Sequence, residues 1–451
     1  MPASFKKTLA CFFLVVTALA AATPTTPPAK PKLILAIAID QFRYDYLTRY
    51  RSEYTGGLNR LLTKGAVFTN ANYEHSPTVT AIGHSTFLSG ALPSVSGIVG
   101  NDWWEETSGK RVTSVSDDSV QLLGGSSEGG ASPRRLLVST LGDELKIASG
   151  GKSHVIGISL KDRSAILPAG HMADGAFWVE AKTGSIVSST YYFPELPGWV
   201  RDLNGSKPAD KYAGLEWAGH KMLQAGDAGF YASLPATPFS NELIELIAER
   251  AIVSEKMGKH AATDVLAVSF SANDYVGHKY GPDSPEAHET AVRTDKLFDK
   301  FFRYVEAQVG MQNVLVVLTA DHGVAPVPEL SVERRIGGGR MPKTTVVQEA
   351  VQAALDQRFG KAKWVLEASA EAMYLNRDLM RQKKLESADV ERVAAEAARA
   401  IPHVARVFTR GQLMAGGTMS DMIGRRVQNG FHPVRGKNHR SQESHVPSVV
   451  A

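Results

Sequence analysis

Residues 33–40 read LILAIAID, an unbroken apolar run that ends in an aspartate. Three more runs of this kind follow along the chain: HVIGISL (154–160), DVLAVSF (264–270) and NVLVVLT (313–319). Apolar runs of this length without strict alternation are typical of strands buried on both faces of a parallel sheet. Helical patterns such as SPEAHETAVRTDKLFDKFFRYVEAQ lie between them. The sequence therefore predicts an α/β fold on a doubly wound, mostly parallel sheet.

Shifts in composition divide the chain further. We predict a core over residues 32–342, and within it a cap insertion at about residues 165–240, which are rich in Gly, Pro, Trp and Tyr. Residues 343–410 carry two helical patterns around the short strand-like EAMYLN, which predicts a small α+β accessory region. The Ser/Gly-rich residues 115–132 are typical of a mobile loop.

The N-terminus has the pattern of a secretory signal. Lys6 and Lys7 precede the apolar run LACFFLVVTALAA, and small residues follow it. This run is shorter than the roughly 20 residues that a membrane helix needs. We therefore predict a signal peptide over residues 1–22, a Pro/Thr-rich linker over 23–31, and a periplasmic or secreted protein without a stable membrane span after cleavage.

Composition and charge exclude several classes of protein. The chain has 451 residues, of which 43% are hydrophobic and 21% charged, so it is neither disordered nor fibrous. A net charge of +4 is too balanced to indicate nucleic acid as a specific partner. The single cysteine, Cys11, lies in the predicted signal peptide. A metal site in the mature chain must therefore use Asp, Glu, His and hydroxyl oxygens.

A polar cluster follows each apolar run. Ligand sites in open α/β sheets lie beyond the carboxyl ends of the strands, so these clusters should meet in one crevice. One such aspartate alone would most simply be a helix cap or a turn residue. Together, their carboxylates and imidazoles suit two Zn²⁺ ions that act on a phosphoryl or sulfuryl group. The residues are Asp40, Lys161 with Arg163, Asp274 with His278, and Asp321 with His322.

The segment HSPTVTAIGHSTFLSG predicts a loop that enters a helix near Thr80. A hydroxyl at that position gains from the helix dipole and from free backbone N–H groups, which favours a nucleophile. The plainer interpretation is that Thr80 only caps the helix. Thr78, Ser76 and Ser85 are alternative nucleophiles by composition alone.

With these motifs the sequence resembles the alkaline phosphatase superfamily, in its type I phosphodiesterase/nucleotide pyrophosphatase branch. It is most similar there to the periplasmic alkaline phosphatases that use a threonine nucleophile. The resemblance runs from about Pro31 to the C-terminus. Its motifs are AIDQFRYDYLTRY, TVTAIGHST, GIVGNDWW, SLKDRSAILPAG with ADGAFW, NDYVGHKYGPDS and TADHGVAPVPE.

The resemblance implies a role for each motif. One zinc would be held by Asp40, Asp321, His322 and the Thr80 oxygen, and the other by Asp274, His278 and a late histidine. Asn101, Lys161 and Arg163 would bind the phosphate oxygens. A phosphate monoester carries more charge than a diester, so the cationic Lys161/Arg163 pair favours monoesters.

The C-terminus departs from the family pattern. Residues 411–451 resemble a shortened return to the core that ends in NHRSQESHVPSVVA, in which His445 matches the last metal ligand and His439 an earlier family histidine. We therefore predict a secreted two-zinc phosphomonoesterase that acts on small phosphate monoesters through a phosphothreonine. The alternatives are a phosphodiesterase or nucleotide pyrophosphatase on the same scaffold, and an impaired protein that binds zinc and phosphate. A sulfatase with a cysteine-derived nucleophile is excluded, because the mature chain has no cysteine.

Overall fold

A computed structural model describes residues 29–337, 339–341, 343, 345–369, 372–415, 417, 419–435 and 448–450. The described residues from Lys32 onward form one compact unit. The predicted signal peptide and most of the predicted linker lie outside the described residues. Within the described part of the chain, every helix is too short or too polar to cross a bilayer.

The strands are short, and most of them belong to one sheet. Their bounds are β1 Leu33–Ile39, β2 Ala66–Phe68, β3 Asp102–Glu105, β4 Lys110–Thr113, β5 Leu122–Leu123, β6 Val155–Ser159, β7 Gly175–Val179, β8 Ile186–Ser189, β9 Glu216–Trp217, β10 His220–Lys221, β11 Asp264–Phe270, β12 Val314–Thr319, β13 Val365–Ala368, β14 Met373–Leu375 and β15 Ser448–Val450.

Helices occupy most of the connections between the strands. Their bounds are α1 Tyr44–Arg49, α2 Gly57–Lys64, α3 Thr80–Ser89, α4 Pro93–Ser96, α5 Leu141–Ser149, α6 Asp162–Ala169, α7 Gly198–Gly205, α8 Phe230–Ser233, α9 Phe239–Ser254, α10 Ala272–Tyr280, α11 Pro285–Gln308, α12 Pro328–Glu333, α13 Val346–Phe359, α14 Arg377–Gln382, α15 Ser387–Arg399, α16 Arg410–Met414 and α17 Met422–Gly430.

Among the described residues, the central sheet has nine strands in the order β2-β15-β12-β1-β11-β6-β7-β8-β5. Its five middle strands, β12 to β7, are parallel to one another, and the outer strands pair in antiparallel fashion. All seven residues of β1 and of β11 are buried, which explains why β1 is wholly apolar and β11 is apolar except for Asp264 and Ser269. The predicted α/β fold with a mostly parallel central sheet is confirmed.

Strand register brings the carboxyl ends of the middle strands level with one another. Ile39 lies opposite Phe270, the last residue of β11. Ala38 lies opposite Thr319, the last residue of β12. Ser159 at the end of β6 lies opposite Ser269. The residues that follow these strands therefore emerge side by side at one edge of the sheet.

Segments outside the four apolar runs are also built into the fold. The segment predicted as a cap insertion, about residues 165–240, contributes β7 and β8 to the sheet. In the predicted accessory region, α13, α15 and the β13–β14 hairpin pack around the buried Trp364.

The Ser/Gly-rich residues 115–132, predicted to be a mobile loop, include β5 and are fixed by two carboxylates. Asp117 accepts hydrogen bonds from Ser119 and Ser132, and Glu180 accepts from the backbone of Ser126 and Ser127. The composition predicted a loop but could not reveal these partners.

Candidate active site

The polar residues that follow the middle strands meet at the carboxyl edge of the sheet. Asp40 follows β1, Asp274 lies in the first turn of α10 just after β11, and Asp321 and His322 follow β12. Lys161 follows β6 and precedes α6. All five side chains are buried. The structure therefore brings together residues that lie up to 282 positions apart in the sequence.

Three of these side chains surround a common point. Asp40, Asp274 and His322 each offer a ligand atom, and the three atoms lie within 4.8 Å of one another. His322 Nε2 lies 3.6 Å from Asp40 Oδ1, while its Nδ1 lies 2.8 Å from the carbonyl oxygen of Gly323. That second contact orients the imidazole, as is usual for histidines that bind metal through the other nitrogen.

Lys161 lies between the carboxylates. Its Nζ is 2.6 Å from Asp40 Oδ2 and 2.6 Å from Asp274 Oδ2, and it also donates to Thr80 Oγ1 at 3.4 Å. The ring of Tyr275 lies 5.0 Å from the same ammonium. One fully buried cation thus contacts both carboxylate groups and the hydroxyl of Thr80.

Burial and the neighbouring charges shift several pKa values in the site. Burial, together with the charges of Asp274 and Asp321, raises the pKa of Asp40 to about 7. Burial would also raise the pKa of Asp274, but the charge of Lys161 and a hydrogen bond with His278 outweigh it and hold that pKa well below its usual range. Burial lowers the pKa of His322, yet the neighbouring Asp321 and Asp40 carboxylates raise it overall.

Asp321 is held by several donors. Its Oδ1 accepts hydrogen bonds from the backbone N–H of Gln41 at 3.0 Å and of His322 at 2.8 Å. Its Oδ2 lies 3.1 Å from Nδ1 of the buried His84. The carboxylate therefore has a fixed orientation beside Asp40.

His278 lies at the outer side of the site. It follows Asp274 by one turn of α10, and its Nε2 lies 3.1 Å from Asp274 Oδ1. The His278 side chain is 69% exposed, whereas that of Asp274 is 5% exposed. A hydrogen bond with Asp274 raises the pKa of His278. The pair presents one carboxylate and one imidazole at helical i, i+4 spacing.

The helix predicted to begin near Thr80 does so. Thr80 is the first residue of α3, and Val79 precedes it in an extended conformation. The alternative nucleophiles Thr78, Ser76 and Ser85 are buried as well, and the Ser85 hydroxyl donates to the carbonyl oxygen of Ile82. Thr80 is the member of this set whose hydroxyl contacts Lys161.

Asn101 contacts the start of α3, and Arg163 follows Lys161 by two residues in the first turn of α6. Asn101 Oδ1 accepts a hydrogen bond of 2.8 Å from the backbone N–H of Ala81, so its amide NH₂ group is the end left for a ligand. The Arg163 guanidinium is 3.7 Å from the carboxylate of Asp162, outside the carboxylate cluster. Its Nε is buried without a hydrogen-bond partner among the described residues.

The late histidines lie outside the described residues. His445 and His439 fall within residues 436–447, so their predicted positions stay predictions. The nearest described strand, β15, pairs with β12 and β2.

The donor set fits divalent cations. Three buried carboxylates share the site with two imidazoles, and carboxylate oxygen with imidazole nitrogen is a ligand combination typical of zinc. Asp40 Oδ1 is buried and accepts no hydrogen bond from any described residue. A cation near this oxygen would satisfy it and would oppose the repulsion that raises the pKa of Asp40.

Two polar residues at the site were not predicted from the sequence. His84 contacts Asp321, and its Nε2 lies 2.7 Å from the hydroxyl of Ser269. Its spacing of one helical turn from Thr80 was a usable signal. Gln41 contacts Asp274 across 233 positions of sequence, a distance at which no local pattern gives a signal.

Comparison with known proteins identifies the family of this chain. Residues 34–422 match the family described as type I phosphodiesterase / nucleotide pyrophosphatase. The chain is 35% identical to alkaline phosphatase PafA of Elizabethkingia meningoseptica, over 93% of this chain and 82% of that protein. It is 40% identical to alkaline phosphatase PhoV of Synechococcus elongatus, over 69% of this chain and 62% of that protein.

A solved structure shows the same similarity to alkaline phosphatases. The crystal structure of wild-type alkaline phosphatase PafA superimposes with a TM-score of 0.83 at 32% identity, and the match covers 94% of this chain and 91% of that one. The chain therefore has the fold of that phosphatase.

Proposed function

The chain belongs to the type I phosphodiesterase / nucleotide pyrophosphatase family, and we propose that it is a metal-dependent phosphomonoesterase that uses Thr80 as its nucleophile. The observation that carries the proposal is the contact of Thr80 Oγ1 with Lys161, whose ammonium also contacts the carboxylates of Asp40 and Asp274. A hydroxyl, a buried cation and a metal-binding donor set thus share one small volume. The names of the relatives, both alkaline phosphatases, support the same activity.

The cofactor in this proposal is a pair of zinc ions. Asp40, Asp321, His322 and the Thr80 oxygen would hold one, and Asp274 and His278 would contribute to the other. His445 is proposed as the remaining ligand of the second ion, since a hydrolytic zinc usually has three protein ligands. When bound, the ions supply positive charge that stabilises the deprotonated hydroxyl and the phosphate oxygens.

The residues of the chain would act as follows. Thr80 Oγ1 loses its proton and attacks phosphorus, and its bond to phosphorus forms as the bond from phosphorus to the departing alcohol oxygen breaks. The departing oxygen takes up a proton from water and leaves as the alcohol. Water then splits the phosphothreonine and releases phosphate. The start of α3 would favour negative charge at this place, because the positive end of the helix dipole lies there.

Specificity for monoesters would depend on the cations near Thr80. A monoester dianion keeps three non-bridging oxygens, and Lys161, Arg163 and the NH₂ group of Asn101 would bind them. Charge-assisted contacts of this kind are roughly twice as strong as neutral ones. A diester carries less charge and so gains less from the two cations.

Residues 1–22 support export of this enzyme to the periplasm or the medium. The positive pair Lys6 and Lys7, the apolar run and the small residues after it form the pattern that secretion requires. The fusion of these residues to a reporter enzyme that is active only after export tests the proposal.

One assay separates the proposed function from its alternatives. The purified chain, with zinc added, is given p-nitrophenyl phosphate and bis(p-nitrophenyl) phosphate at equal concentrations. We expect kcat/KM to be larger for the monoester. A larger value for the diester would identify a phosphodiesterase, and zinc binding without turnover of either ester would identify the impaired protein.

A further inference from the structure

Gln41 occupies a strained position between the two proposed metal sites. It follows Asp40 directly, it is 2% exposed, and its φ angle is 59°. Residues other than glycine adopt this left-handed conformation at a cost in free energy, and glutamine has no local preference for it. A residue keeps such a strained conformation only where its contacts with the surrounding structure hold it there. The contacts of Gln41 therefore indicate its role.

The backbone of Gln41 is held from both sides of the site. Its N–H donates to Asp321 Oδ1 at 3.0 Å, and its carbonyl oxygen accepts a hydrogen bond of 3.0 Å from Nδ2 of Asn273. Asp321 belongs to the first proposed metal site, and Asn273 immediately precedes Asp274 of the second. The peptide groups of Gln41 thus connect the ends of β12 and β11 through β1.

The side chain of Gln41 reaches the second site directly. Its Nε2 donates to Asp274 Oδ1 at 2.8 Å and lies 3.2 Å from His278 Nε2. The other oxygen of Asp274 faces Lys161 at 2.6 Å. Gln41 and Lys161 together fix the plane of the Asp274 carboxylate.

The adjacent helix makes room for this amide. A Cβ atom at Gly277 would lie 2.4 Å from Gln41 Oε1, so any larger residue on this face of α10 would displace the amide. Gly277 lies between Asp274 and His278 in the sequence, on the helix that presents both.

We propose that Gln41 is a positioning residue that links the two metal sites, in that it aims the Asp274 carboxylate at the second metal. The inference rests on the proposed two-metal function. It assigns a role to a side chain that is not itself a ligand. Partners that orient ligands in this way typically change metal affinity by about 10- to 100-fold when they are removed.

Three substitutions of Gln41 distinguish the effect of its side-chain amide from the effect of its backbone conformation. Gln41→Gly removes the side chain and relieves the positive φ. Gln41→Asn keeps an amide and tolerates the left-handed conformation, but it is one methylene too short to reach Asp274. Gln41→Glu keeps the length and replaces the donor with a charge that repels Asp274. Lys256→Gly is the matched control, because Lys256 has a φ of 52° and is exposed at the end of α9.

The measurement is a zinc titration of the metal-depleted full-length protein against a competing chelator, together with urea unfolding of the metal-depleted chain. We expect wild type and Lys256→Gly each to bind two equivalents of zinc, and we expect the affinities of Lys256→Gly to equal those of wild type. One of the two zinc affinities should fall about 10- to 100-fold in all three Gln41 variants. The metal-depleted Gln41→Gly chain should unfold at no lower urea concentration than wild type, because its backbone strain is relieved.

The outcomes are distinguishable. If wild type binds two equivalents and Gln41→Gly and Gln41→Asn bind them equally well, the role of Gln41 is overturned and its contacts are structural only. If wild type binds fewer than two equivalents, the two-metal proposal fails, and this inference fails with it. Visible spectra of Co²⁺-loaded protein report on metal coordination and do not depend on overall stability. The spectrum of one site should change in the Gln41 variants and not in Lys256→Gly.

Discussion

Thr80 is the single residue on which the proposed chemistry depends most directly. Thr80→Ala removes the hydroxyl, so kcat/KM for p-nitrophenyl phosphate should fall by roughly three orders of magnitude or more. Thr80→Ser keeps the hydroxyl and should retain much of the rate. Thr78→Ala is the control, since Thr78 is an equally buried hydroxyl two residues away. A wild-type rate in Thr80→Ala combined with a large loss in Thr78→Ala would move the nucleophile to Thr78.

Arg163 gives the cleaner test of specificity. Lys161 contacts Asp40 and Asp274 as well as Thr80, so its loss changes the metal site too, whereas Arg163 pairs with Asp162 outside that cluster. Arg163→Ala should slow monoester hydrolysis about 10- to 100-fold, the equivalent of about 1.5–3 kcal/mol, and diester hydrolysis much less. Parallel kinetics on both esters check this. Equal losses on the two substrates would reject the role assigned to Arg163.

At the scale of elements, α3 carries Thr80 and packs closely on the end of β12. A Cβ at Gly83 would lie 1.9 Å from the carbonyl oxygen of Asp321, so this helix approaches the metal-binding segment as nearly as a glycine allows. Gly83→Ala should push α3 away, at a cost of about 1–3 kcal/mol in stability. A displacement of about 1 Å can reduce the rate about 100-fold.

Gly205→Ala is the matched control for that prediction. Gly205 ends α7, and a Cβ there meets no atom within 4 Å. The measurements are kcat/KM for p-nitrophenyl phosphate and the urea concentration of unfolding, for both variants and wild type. A Gly83→Ala enzyme with a rate within about threefold of wild type would show that α3 and β12 need not approach so closely.

At the amino ends of the parallel strands, His154 contributes to stability in a way that depends on pH. His154, just before β6, lies 3.2 Å from Glu255 Oε2 and 3.3 Å from Asp174 Oδ2, and its ring stacks on His260 at 5.0 Å. Burial lowers the pKa of His154, but the hydrogen bond with Glu255 and the charge of Asp174 raise it overall. The charged imidazole therefore stabilises the fold below its ordinary pKa, and this contribution is lost as the pH rises through the raised value.

His154→Gln should consequently destabilise the fold by about 1 kcal/mol at mildly acidic pH and by less in alkaline solution. Urea unfolding at about pH 5.5 and about pH 9 measures the difference between these two losses. A destabilisation that is equal at both pH values, or larger at the higher one, would contradict the charged pairing.

The sequence predicted those elements whose own residues specify them. The run 264–270 forms β11 with the predicted bounds, because every side chain of this strand is buried and an apolar run is its local signature. Asp40, Asp274 and Asp321 could be placed at one edge because parallel strands end together. Contacts made across the fold could not be predicted. Gln41 meets Asp274 and His84 meets Asp321 only after the strands have assembled. The spacing of His84 from Thr80 indicates a shared helix face, but it does not reveal Asp321 as the partner.

For the whole molecule, the central claim is that bound metal at the carboxyl edge of the sheet makes this chain a phosphomonoesterase. The most direct test measures zinc per chain and p-nitrophenyl phosphate hydrolysis in the same samples as metal-depleted protein is reloaded stepwise. We predict that the depleted chain is inactive and that activity rises with bound zinc and levels off at two equivalents per chain. Full activity in a preparation that contains no bound metal would contradict the account.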